Sequence, residues 1–194
     1  MKGGFFMNTK ETQKDTKYVY KGAIINLRLD TAVLPNGNTA KREVIEHPGG
    51  VGVLPIDKNG DILLVRQFRY PYMEETLEIP AGKRDKDGDS DPLSCGKREL
   101  KEETGAKAEK YISLGTLYPS PGYTNEVIYM YAATDLSFGE AEPDDDEFIN
   151  LIRIPFKKAV DMVVSGEIVD SKTQAAILKA EILKNKGKLP LTSV

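Results

Sequence analysis

At 194 residues, with 40% hydrophobic and 29% charged side chains, the chain has the size of one domain carrying an arm and enough apolar material for a core. Its 27 basic and 30 acidic residues leave a net charge of −3, which supplies no global attraction to nucleic acid or to an anionic membrane. One cysteine, Cys95, excludes an internal disulfide, and one histidine, His47, excludes a two-histidine zinc site and is assigned a structural or surface role. With no signal-like apolar stretch at the start and no run approaching the ~20 apolar residues of a membrane span, the expected location is cytoplasmic.

In chain order, residues 1–16 are polar and predict a flexible tail. Residues 17–48 read as an N-terminal β arm, with Asn36-Gly37 marking a tight turn before a strand over 39–46. The change of character at Pro48-Gly49-Gly50 opens the main domain, 49–194. Apolar runs at 51–56 and 62–68, broken by Asn59-Gly60, predict a second hairpin, and 77–80 a short buried strand entering Ala81-Gly82. The clearest helix spans 92–104: Asp91 is an N-cap residue, Pro92 fits the first helical position and Gly105 is the expected stop. Strands follow at 111–118 and 126–133, then an acidic loop at 139–147, a strand at 148–154, and helices at 156–165 and 171–186. Hairpins interspersed with a few helices predict an α+β fold with a mixed sheet.

On the 92–104 helix, Glu99 and Glu103 stand four residues apart and stack on one side, Glu102 lies beside them, and Leu93, Gly96 and Leu100 form the stripe facing a core. Arg98 is spaced to hold Glu102. On spacing alone the acids read either as a solvated charged face or as carboxylates that hold a hard cation such as Mg²⁺ or Mn²⁺ against the negative end of the helix dipole.

The order of residues narrows this. Arg98-Glu99-Leu100-Lys101-Glu102-Glu103-Thr104-Gly105, closing the string AGKRDKDGDSDPLSCGKRELKEETGA over 81–106, resembles the Nudix box, G-x5-E-x7-R-E-U-x-E-E-x-G-U with U apolar. The front half departs from it: two extra residues separate Gly82 from Arg98, and the first glutamate falls on Ser90. The resemblance implies an α/β/α sandwich in which the Ala81 carbonyl, Glu99 and Glu103 hold the metal. Glu102 is then a further ligand or a water-positioning group, and Arg98 orients the carboxylates. Such a site suits pyrophosphate hydrolysis, because bound cations neutralise the phosphates and acidify the attacking water without a histidine.

Beyond the box, Pro121 lies 16 residues after Gly105, and the stretches LPNGNTAKREVIEHPGGVGVLPI, LLVRQFRYPY and LEIPAG are similar to the ADP-ribose pyrophosphatase branch. That branch implies a nucleotide sugar as substrate, with no nucleic-acid or membrane partner, and a homodimer exchanging its β arms. It makes Arg42, Arg66 and Arg69 candidates for the diphosphate and ribose, Tyr20 for adenine stacking, and Glu78, Pro121, Gly122 and Glu126 for further substrate contacts. In the acidic loop, Asp145 and Glu147 fall where the branch carries a ligand or the residue that activates water. The alternatives carried forward are another nucleoside diphosphate sugar as substrate and a non-catalytic nucleotide sensor.

Overall fold

The computed structural model describes residues 7–84, 91–144 and 147–189. The chain divides into two compact units, one ending at Pro48 and taking in Ser120–Glu126, the other built from Gly49–Pro119 and the chain from Val127 onward. Among the described residues no helix is long and apolar enough to cross a membrane.

The first unit is a three-stranded antiparallel sheet in which β1 (Thr12–Lys21) and β3 (Thr39–Glu46) flank β2 (Asn26–Val33). The β2–β3 turn falls at Asn36-Gly37, where the Asn36 side chain accepts from the Asn38 N–H and Gly37 adopts φ 85°. β1 corrects the expected tail, since residues 12–16 are already strand. All ten of its side chains are exposed, so it carries no apolar alternation to read; the ladder to β2 and the 2.5 Å hydrogen bond from Thr16 to the buried Asp30 hold it instead. Residues 120–126 join this unit through backbone bonds from Ile45 N–H to Tyr123 O (2.7 Å) and from Asn125 N–H to Ile45 O (3.1 Å).

The second unit holds β4 (Gly50–Pro55), β5 (Asp61–Arg69), β6 (Glu74–Glu78), β7 (Ala81–Lys83), α1 (Pro92–Thr104), β8 (Ala106–Leu117), β9 (Ile128–Phe138), β10 (Ile149–Pro155), α2 (Phe156–Ser165) and α3 (Ser171–Asn185). One sheet runs β7-β4-β9-β8, with β4 and β9 parallel and the other pairs antiparallel; the second runs β10-β5-β6. β4 is buried at all six positions, which explains its unbroken apolar run. Its alternate side chains serve two cores. Val53 packs with Leu63, Leu100, Ala106 and Ala133 beneath α1, while Leu54, with Ile56 just past the strand, joins Met130, Phe156, Ala176 and Ile177 on the side of α2 and α3. Helices therefore cover both sides of the strands, and the fold is an α+β sandwich with a mixed sheet. Each fully buried Leu or Ile contributes ~1.5–3 kcal/mol.

The ends of α1 follow from local chemistry. The Asp91 carboxylate accepts from the Ser94 N–H at 3.1 Å, Pro92 occupies the first turn, and Gly105 takes the left-handed conformation with φ 68°. Gly105 is required twice over, because a Cβ there would lie 2.3 Å from the Gly139 carbonyl oxygen. β8 and β9 are longer than expected, pairing from Ala106 with Phe138 onward rather than from 111 and up to 133. Their extra residues alternate between exposed Lys107, Glu109, Asp135 and Ser137 and inward Ala106, Ala108, Thr134 and Leu136, so the ladder is extended over the edge of the core beneath α1.

Candidate active site

The site grows from the β7–α1 junction of the second unit. α1 packs closely enough that a Cβ on Gly82 would fall 2.0 Å from the Glu99 carboxyl, so only glycine lets that carboxylate lie over the strand. Glu103, one turn further along, accepts a 3.2 Å hydrogen bond from the Ala81 N–H. Arg98 Nη1 lies 2.7 Å from Glu99 and 2.8 Å from Glu102, the i, i+4 bridge that the spacing predicts. Glu99 and Glu103 are buried, with 6% and 4% exposure, which removes the solvated-face reading for these two; Glu102 is half-buried.

Burial is the main cause of their altered acidity. It raises the Glu99 carboxyl to about 7, with Arg98 opposing and the charges of Glu102 and Glu147 adding to the rise. Glu103 is pushed up to about 8 by burial, then by Glu99 and Glu147. Two buried carboxylates that repel each other and a third acid are stabilised by a divalent cation, and oxygen donors of this kind suit Mg²⁺. Among the described residues, no three His, Cys, Asp or Glu side chains already converge as a ligand set, and Arg98 bridges two of the acids. Asp145, like Ser90, lies outside the described residues.

The acidic loop is anchored to the same helix. Glu142 N–H donates to Glu102 O, Gly139 N–H to Gly105 O, and Lys101 pairs with the Glu142 carboxylate at 2.9 Å. The Glu147 N–H donates to Asp144 O at 2.9 Å.

The candidate substrate residues fall into two groups. In the second unit, Arg69 donates from Nε and Nη2 to the two oxygens of Glu78, each at 2.6 Å. Glu78 also accepts from Thr76 Oγ1 at 2.6 Å and pairs with Lys172. Its carboxylate is thus engaged by three side chains. Arg66 is an exposed strand cation 3.8 Å from Glu75. In the first unit, Arg42 makes a bidentate pair with Glu11 (3.0 and 2.6 Å) and lines an open cavity of about 260 Å³ with Asp30, Pro121, Gly122 and Tyr123. Tyr20 is exposed, its ring over Gly22. Glu126 lies 3.5 Å from His47 Nδ1.

Sequence reasoning missed Lys172, Thr76 and the Glu11 partner of Arg42. Asp170 and Thr173 do carry a local signal, the N-cap spacing: Asp170 accepts from the Thr173 N–H at 2.9 Å. Nothing near Lys172 in the chain announces its pairing with Glu78.

Comparison with known proteins agrees with this architecture. A family model described as the NUDIX domain matches residues 46–171, and one described as the nucleoside diphosphate sugar hydrolase N-terminal domain matches residues 11–45. The chain is 39% identical over 161 residues to the ADP-ribose pyrophosphatase of Bacillus subtilis, covering 82% of this chain and 86% of that protein. It is 40% identical over 164 residues to the methanol dehydrogenase activator of Bacillus methanolicus, covering 84% and 88%. A crystal structure of an ADP compounds hydrolase, 22% identical, superposes with a TM-score of 0.80 over 94% of this chain and 99% of the other, and shares the fold. With the buried acids of α1 packed on Ala81-Gly82 and the family model spanning most of the chain, the protein belongs to the Nudix hydrolase superfamily.

Proposed function

We propose that this Nudix hydrolase cleaves the diphosphate of ADP-ribose to AMP and ribose 5-phosphate in the presence of Mg²⁺, which Mn²⁺ can replace. The pair of buried carboxylates, Glu99 and Glu103, set against Ala81-Gly82 carries the hydrolytic part of this reading. The similarity to the Bacillus subtilis ADP-ribose pyrophosphatase supports the substrate.

Glu99, Glu103 and the Ala81 carbonyl would hold the metal, with Glu102 or Glu147 completing its oxygen ligands. Bound there, Mg²⁺ supplies charge neutralisation for the diphosphate and a more acidic water. Arg98 keeps Glu99 and Glu102 oriented through its two ion pairs. Glu147, whose charge acts on both buried acids, takes the proton of the attacking water at its carboxylate, and Asp145 shares the acidic loop with it. Arg69 and Arg66 receive the phosphate oxygens. Arg42, Tyr20, Pro121, Gly122 and Glu126 serve the adenosine and terminal ribose, with the β arm exchanged in a homodimer.

The test is release of AMP from ADP-ribose at pH 7–8.5, with and without Mg²⁺, beside GDP-mannose and NADH. Metal-dependent AMP formation selective for ADP-ribose is the expected result. Selective cleavage of another substrate would retain the carboxylate helix and refute the substrate; cleavage of none would refute the enzyme. A variant probes the β7–α1 junction. Gly82→Ala places a methyl against the flexible end of Glu99, so the carboxylate moves while the backbone stays. Its kcat should fall at least about tenfold, with a stability change under about 1 kcal/mol in a urea titration.

A further inference from the structure

The ion cluster around Glu78 is larger than a salt bridge needs to be. Glu78 is 2% exposed, and Lys172, at the start of α3, is 8% exposed. Lys172 pairs with Glu78 and, at 3.0 Å, with Asp170. The same helical turn clamps the residue that follows the strand, because Thr173 Oγ1 accepts from the Ile79 N–H at 2.8 Å and donates to Asp170 at 2.6 Å. Two residues later the chain meets Glu103 at Ala81 and, one further, Glu99 at Gly82.

Two cations and two anions balance in this cluster, yet apolar side chains of similar volume would be at least as stabilising in such a place. What a salt bridge adds is direction. Arg69 spends Nε and Nη2 on Glu78, its side chain stays 40% exposed, and among the described residues no hydrogen bond or ion pair takes its Nη1. The bidentate fork fixes the guanidinium plane, so its open edge faces one way only. Lys172, holding Glu78 from the buried side, stops the carboxylate from turning with Arg69.

We infer that Lys172 is a positioning residue for the reaction: through Glu78 it fixes the guanidinium of Arg69 so that its open N–H groups meet a phosphate oxygen of the substrate. The inference rests on the proposed function, and specifically on Arg69 as a phosphate contact.

The test is a double-mutant cycle of Lys172→Met and Arg69→Ala, reading KM and kcat for ADP-ribose at saturating Mg²⁺ and the melting temperature of each protein. Lys172→Met is expected to raise KM about tenfold with kcat changed less than about threefold. In the Arg69→Ala background the same substitution should change KM by less than about twofold. If Lys172→Met is recovered unfolded, Lys172→Gln, which keeps a donor to Glu78 and removes the charge, replaces it in the cycle. A lowered melting temperature with KM unchanged, or an equal rise in KM in both backgrounds, would overturn the positioning role. An Arg69→Ala protein with wild-type KM removes Arg69 from the substrate and the inference with it. A wild-type protein inert toward every nucleotide sugar brings down the proposed function itself.

Discussion

Replacing Glu103 by glutamine is expected to lower Mg²⁺-dependent turnover at least ~10²-fold while leaving the fold intact. The amide oxygen of glutamine can still accept the Ala81 N–H, so the β7–α1 contact survives. What disappears is the charge needed to hold a cation. Stability supplies an independent check. Burial and the neighbouring Glu99 and Glu147 raise Glu103 to about 8, and burial raises Glu99 to about 7. A carboxyl whose acidity is weakened by folding contributes stability below its ordinary value, and that contribution is lost as pH rises through the folded value. In chelator, the wild-type protein should therefore lose stability between about pH 4.5 and 8, and Glu103→Gln should lose less. At pH 9 without metal the variant should melt higher than wild type; at pH 4 the two should melt together. Added Mg²⁺ should then raise the melting temperature of the wild-type protein more than that of the variant. Unchanged turnover would refute the assignment of Glu103 to the metal.

The largest effect on stability is expected at Glu78. Burial alone would push this carboxyl up, but hydrogen bonding to Arg69 and the charge of Lys172 reverse that and hold it at about 2. A carboxyl lowered in this way contributes stability above its ordinary value of about 4.5, and the contribution is lost as pH falls towards 2. By linkage this amounts to about 3 kcal/mol at neutral pH. Glu78→Gln leaves Arg69 and the buried Lys172 without their carboxylate, and should cost about 3–5 kcal/mol at pH 7. The gap from wild type should close as pH falls from about 4.5 towards 2, where Glu78 is itself protonated. Urea titrations of both proteins at pH 7 and pH 3 measure it; a gap of the same size at both values would show that shape, not charge, is responsible.

These two acids differ in how far the sequence announces them. Glu103 shares a helix with Arg98, Glu99 and Glu102, so its spacing alone places it beside them, and the caps at Asp91, Pro92 and Gly105 fix the helix by contacts within one turn. Glu78 takes its meaning from Arg69 across a strand pair and from Lys172 on the distant α3, and no local pattern joins the three. Strands follow the same division. β4 was legible because burial at every position left a continuous apolar run. β1, exposed throughout, was not, because backbone pairing is independent of side-chain pattern; the outer ends of β8 and β9 turn small or polar residues inward, Ala106, Ala108 and Thr134, which leave little apolar signal. The pairing of Arg42 with Glu11 is hidden for the same reason, because Glu11 lies in a segment whose composition resembles a loose tail.

The parallel ladder between β4 and β9 sets the order in which this protein can be made. Gly50 pairs with Ile128, so β5, β6, β7, α1 and β8 must all be threaded into the loop that this ladder closes. Closing so long a loop costs entropy before any contact rewards it, which makes the pairing a late and slow event on the folding path. α1 rests on Val51 and Val53 of β4, so its packed face, and with it the assembled acids, awaits that strand. Amide protection in α1 should then appear in step with protection in β9, at the pace of chain closure rather than at the sub-microsecond pace of an isolated helix.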